Sequence, residues 1–81
     1  MRRAKRLERM RQQPAGQKRD DIIALLEQYG FDRWDGANYT ICRHPEHPDL
    51  RLSIPHQRRP KPYIVRQVVN MIDALEERSN P

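Results

Sequence analysis

Between Ile22 and Leu75 the spacing of apolar residues changes twice, and that double change limits the chain to few folds. Ile22, Leu25, Leu26 and Tyr29 fall at i, i+3, i+4 and i+7, one face of a helix over about 18–29. Leu50, Leu52 and Ile54 then alternate with Arg51 and Ser53, the period of a half-buried strand over about 50–55. Ile64, Val65, Val68, Met71, Ile72 and Leu75 return to the helical period and give a wide apolar face over about 61–78.

The residues between these segments supply the punctuation. Asp20 and Asp21 sit in the first turn of the first helix, where carboxylates suit the positive end of the helix dipole. Gly30 is a natural residue just past a helix end. Phe31 to Trp34 reads as a short strand, and Asp35-Gly36 as a hairpin turn in which glycine accepts a positive φ. A second strand spans about 38–44, with Tyr39, Ile41 and Arg43 on one side and Thr40, Cys42 and His44 on the other. Pro45, Pro48 and the charges between them make a loop. Residues 55–62 form a basic, proline-punctuated loop that ends where Pro62 opens the last helix. The order is α-β-β-β-α, an α+β, double-stranded-RNA-binding-domain-like topology: a three-stranded antiparallel sheet needs one face covered, and two amphipathic helices can cover it. The expected core joins the two helices to Phe31, Ile41, Leu52 and Ile54. Trp34 is expected to pack, and Tyr63 to lie at the core edge.

With 81 residues the chain holds one small domain, placed at 18–78, with a tail at 79–81. Its single cysteine, Cys42, has no partner for an internal disulfide, so a reducing, cytoplasmic setting is expected. No apolar run approaches a membrane span, and the N-terminus lacks the apolar core of a secretory signal, so no membrane partner is expected. The net charge of +5 is uneven. Arg2, Arg3, Lys5, Arg6, Arg9, Arg11, Lys18 and Arg19 stand against Glu8 alone in the first 19 residues, while the remainder is slightly acidic. Residues 1–17 therefore read as a basic, flexible arm. Ala4, Leu7 and Met10 give it a thin helical stripe, marginal in isolation, before the Gln12-Gln13-Pro14-Ala15-Gly16 linker. Such an arm either binds polyanions by counterion release or is a solvated tail.

Taken in order, the helix with Gly30-Phe31, the Gly36 hairpin, His44-Pro45 and the Ile54-Pro55-His56 strand end resemble the HicA family of small toxins. These are mRNA interferases of bacterial and phage toxin–antitoxin pairs. The resemblance covers about 50 of the 81 residues. It implies RNA (mRNA) as substrate, a HicB-like antitoxin as partner, and no cofactor. It also implies a catalytic histidine in a Gly-Ser-His motif, and here the corresponding residues are Gly36-Ala37-Asn38. Counted from Gly36 the histidine position is Asn38; counted back from His44-Pro45 it is Tyr39. Asparagine exchanges no proton usefully near pH 7, and a tyrosine hydroxyl is a poor base there. The expectation is a HicA-like RNA-binding protein with weak or absent cleavage. Two alternatives stay open: an active endoribonuclease using Tyr39 or His56, and a non-catalytic module docking an antitoxin-like or acidic partner. The basic N-terminal segment and long last helix suggest further contacts, including a homodimer.

Arg58, Arg59, Lys61 and Arg66 cluster around the start of the last helix, and with Arg43 and Arg33 they can form a phosphate-contacting surface, since arginine grips phosphate with a planar fork. Tyr39 and Tyr63 can stack a base. Cys42, His44 and His47 have a C-x-H-x-x-H spacing, but the prolines and the lack of a paired C-x-x-C argue against a metal; Cys42 reads as a buried strand residue.

Overall fold

A computed structural model describes residues 2–79. It comprises α1 (Arg3–Gln12), α2 (Arg19–Gln28), β1 (Asp32–Asp35), β2 (Tyr39–His44), β3 (His47–Pro55) and α3 (Pro62–Ser79). The fold is α+β, with three helices and an antiparallel sheet of order β1-β2-β3. The order is thus α-α-β-β-β-α. An extra helix precedes the expected series.

That extra helix is the segment read as an arm. It packs against both α2 and α3, and Leu7 and Met10 join the core. The reason is visible in α2, where Ile22, Ile23, Leu25 and Leu26 are all buried. Ile23 lies about 100° round the helix from Ile22, outside the expected stripe, so α2 needs cover on a second side. The thin Leu7/Met10 stripe supplies it. Arg11 then fixes α1 to α3 by a two-pronged bond to Asp73, 2.8 Å at each oxygen. Arg3 donates to the carbonyl of Gln28 at 3.1 Å, and its guanidinium lies 4.6 Å from the Tyr29 ring centre.

The end of α2 follows its sequence signal. Gly30 has φ +91°, and its N–H and that of Phe31 return to the carbonyls of Glu27 and Leu26 at 3.0 Å each. This is a Schellman ending, for which glycine suits the left-handed backbone. Gly36 works differently from expectation. Its φ is not positive. Its N–H donates to the carbonyl of Tyr39 at 2.7 Å, and a Cβ would sit 3.1 Å from that same oxygen. Close approach, rather than turn handedness, accounts for the glycine.

The sheet turns the Thr40–Cys42–His44 side of β2 toward the helices. Ile41, expected in the core, is half-buried on the opposite side. Phe31 and Ile54 are buried as expected, and Leu52 packs at the core margin. Trp34, expected to pack, is 48% exposed, and Tyr63, expected at the core edge, is 56% exposed. β3 begins at His47, earlier than the alternation indicates. His44 pairs with His47 while Arg43 pairs with Arg51, so Pro48, Asp49 and Leu50 drop out of the ladder. A bulge on an edge strand is where a strand proline is tolerated. Among the described residues, no helix is long and apolar enough to cross a membrane.

Candidate nucleic-acid interface

The two hairpins bring three segments to one end of the sheet. Asp35 at the end of β1 pairs in register with Thr40 at the start of β2, and Thr40 pairs with Ile54 near the end of β3. His56 follows β3 directly, and its N–H donates to the carbonyl of Asn38 at 3.2 Å. The start of α2 closes the same end, because the Arg58 carbonyl accepts the Arg19 N–H at 2.9 Å and so caps the helix.

Thr40 is the centre of this cluster and is fully buried. Its hydroxyl donates to Asp35 Oδ1 at 2.9 Å, since a carboxylate only accepts. With its hydrogen committed there, the oxygen accepts from Arg19 Nη2 and from His56 Nε2, the latter at a long 3.4 Å. The bond from Thr40, followed by the pair with Arg33, holds the Asp35 carboxyl below the usual aspartate range.

Arg19 is the unusual member. Its side chain is only 18% exposed, its nearest carboxylate is Asp20 at 3.6 Å, and its Nε–H is the one buried side-chain polar atom without a partner among the described residues. Lys18, Arg19, Asp20, His56, Gln57 and Arg58 line a cleft of about 460 Å³ here. Lys18, Arg19 and Arg58 face Asp20, with Asp35 behind Thr40 as a second carboxylate; the positive surplus suits an anion, and an arginine anchored through one nitrogen is already oriented to grip it.

The other expected site residues scatter. Tyr39 is exposed beside this cleft in sequence but stands on the opposite side of the sheet, because it alternates with Thr40. The two substitutes for the family histidine thus lie on different faces, and only His56 joins Asn38. Arg43 is also on that far face, and Arg33 is held by Asp35 at 2.9 Å and Glu27 at 3.5 Å. Neither joins Arg58, so the single phosphate surface expected from Arg33, Arg43, Arg58, Arg59, Lys61 and Arg66 does not form. Arg59 donates to the Gly16 carbonyl at 2.9 Å, and Arg66 lies by Met10 and Arg11. Arg3 and Arg11 are engaged in holding α1 down. Arg2, Lys5 and Arg9 are exposed and Arg6 half-buried on that helix, while Lys61 is exposed just before α3.

Two residues of the cluster escaped the sequence reading, Thr40 and Asp35; their signal was a hydroxyl and an acid on either side of the Gly36 hairpin. Cys42 is buried, and desolvation pushes its thiol up to about 11. Among the described residues, no group of three or more His, Cys, Asp or Glu side chains is placed to hold a metal ion.

No family model matches the chain, and neither a curated protein nor a solved structure matches it.

Proposed function

We propose that this chain is a HicA-like, double-stranded-RNA-binding-domain-like protein that binds RNA, seating a backbone phosphate in the cleft between the start of α2 and the 56–58 segment. The observation that carries the reading is the cationic surplus around Arg19, a guanidinium locked in place by Thr40 with little carboxylate to neutralise it. The exposed cations of α1 add a second, sequence-independent attraction for the backbone. Cleavage is weak or absent, because Gly36-Ala37-Asn38 offers no histidine where the resemblance implies one.

One observation favours a second reading, an active endoribonuclease. His56 is bonded to Asn38 through the backbone, and its exposed side chain lines the cleft beside Arg19. It can take a 2′-hydroxyl proton there while Arg19 holds the phosphate. Tyr39, on the other face, cannot share that work.

Both readings meet in one assay. The protein is titrated onto labelled mRNA at two salt concentrations and the products are run on a denaturing gel. The first reading expects intact RNA, bound at low salt and released at high salt, with affinity reduced in Arg19→Gln. The second expects fragments that fall by about 10²–10⁴-fold in His56→Ala and persist in Tyr39→Phe. RNA left unbound at low salt would overturn both, and would return the chain to a protein-docking role with an antitoxin-like or acidic partner.

A further inference from the structure

Among the described residues, no element covers the face of the sheet turned away from the helices. Alternation and register place Trp34, Tyr39, Ile41, Arg43 and Arg51 on it. Trp34 is 48% exposed and Tyr39 52% exposed. Trp34 pairs with Ile41, and Tyr39 is two residues along β2, so the two rings are diagonal neighbours, about 7–8 Å apart at the backbone. The Arg43 guanidinium lies 5.1 Å from the Trp34 ring centre.

Two features of this face select its occupant. Arg43 and Arg51 are directly opposite one another across β2 and β3, a like-charge pair that works against the sheet. Asp32 is opposite Arg43 on the other side, yet among the described residues neither arginine forms an ion pair. The face thus carries a concentration of positive charge that an anion would relieve. The second feature is the pair of exposed rings, which a purely phosphate-binding surface does not need. A second copy of the chain, face to face, would add two more arginines to the two already opposed.

We propose that this face is a stacking platform for unpaired bases of a single-stranded nucleic acid, with bases on Trp34 and Tyr39 and phosphates on Arg43 and Arg51. The proposal rests on the RNA-binding reading above and narrows it to single strands. Every base presents a π-face, so stacking is tolerant of sequence, whereas a duplex keeps its bases stacked on one another and offers none to a flat sheet. A base arriving over Trp34 meets Arg43, whose planar guanidinium is itself a stacking surface.

Trp34 is the only tryptophan, so its emission reports on this face alone. The full chain is titrated with a short single-stranded RNA, with a duplex RNA of the same composition, and with linear polyphosphate, which has charge but no bases. The single strand is expected to quench Trp34, and polyphosphate and duplex to bind without quenching. Trp34→Ala should weaken single-strand binding roughly tenfold, with an unchanged salt slope, and Trp34→Phe should restore most of it. Circular dichroism and thermal melting check that each variant is folded. Binding of the single strand with unchanged emission and equal affinity in Trp34→Ala would overturn the platform and leave the cleft reading standing. Failure to bind any RNA would overturn both. Emission that changes with protein concentration alone would overturn the platform and assign the face to a second copy.

Discussion

At one end of the β2–β3 pair, His44 is 8% exposed, with its ring edge-on to Phe31 at 5.2 Å and its Nδ1 accepting the Glu46 N–H at 3.2 Å. At the other end His56 is exposed, its ring 3.4 Å from the Thr40 hydroxyl, and it shares its cleft with Lys18, Arg19 and Arg58. Both ends have a cleft, and the one beside His44 is larger, about 650 Å³. Its cations, however, are engaged within the fold: Arg11 binds Asp73 at 2.8 Å and Glu8 at 3.6 Å, and Arg3 donates to the Gln28 carbonyl at 3.1 Å. The cleft at the His56 end has Lys18, Arg19 and Arg58 against Asp20 and keeps a positive surplus. Volume does not distinguish a site from a seam; unneutralised, oriented charge does.

The largest effect belongs to the core that both ends share. Ile54 is fully buried beneath Thr40, and Ile54→Ala should cost about 2–5 kcal/mol in urea unfolding. A cost near zero would mean that the His56 end is not anchored in that core.

A crossed pair of variants tests the division of labour. Gly30→Ala strains the left-handed backbone and sets a Cβ 3.2 Å from the His44 ring, so it should lose about 1–3 kcal/mol of stability while RNA affinity holds. Thr40→Val removes the oxygen shared by Arg19, Asp35 and His56. It should lose a similar amount, about 1–3 kcal/mol, but weaken RNA binding as well and let the Asp35 carboxyl rise toward its ordinary range, visible by NMR titration. If Gly30→Ala impaired binding as much as Thr40→Val, the two ends would not be functionally distinct.

Titration gives the smaller effects. Cys42 is held neutral by burial, so its contribution is complete below the ordinary thiol range and is lost as pH rises toward about 11; thiol reagents should label it only on unfolding. Asp49 is held down to about 2 by its bond to Arg78, and Asp73 is lowered by Arg11. Their contribution is complete above the ordinary aspartate range and fades as pH falls toward about 2. Arg78→Gln should therefore move the acid-unfolding midpoint to higher pH, by a small amount because the pair is exposed and salt-screened. An unchanged midpoint would show that this pair does not couple the bulge to α3.

Much of the fold was legible. The helical stripes of α2 and α3, the alternation of β3 and the Gly30 stop all act within a few residues, and local physics reads locally. The docking of α1 was not legible, because Leu7 and Met10 are too few to hold a helix alone and acquire their value only against α2. Pro48 looked like a loop because nothing short-range announces a bulge. The candidate site was half legible: His56 stood out by residue type and Asn38 by its place in the resemblance, whereas Thr40, Asp35 and the burial of Arg19 emerge only when three segments meet.

β2 shows where the line falls. Alternation alone determined that Tyr39, Ile41 and Arg43 share one face and Thr40, Cys42 and His44 the other, since successive side chains of a strand point to opposite sides. It could not determine which face the helices cover. Ile41 argued for one side, Cys42 for the other. Only the tertiary structure decided, because β2 lies between two strands and must turn inward the set that matches Leu52 and Ile54 on β3 and leaves Thr40 within reach of Arg19. That choice sends Thr40 to the cleft and leaves the aromatic, arginine-bearing side in the open.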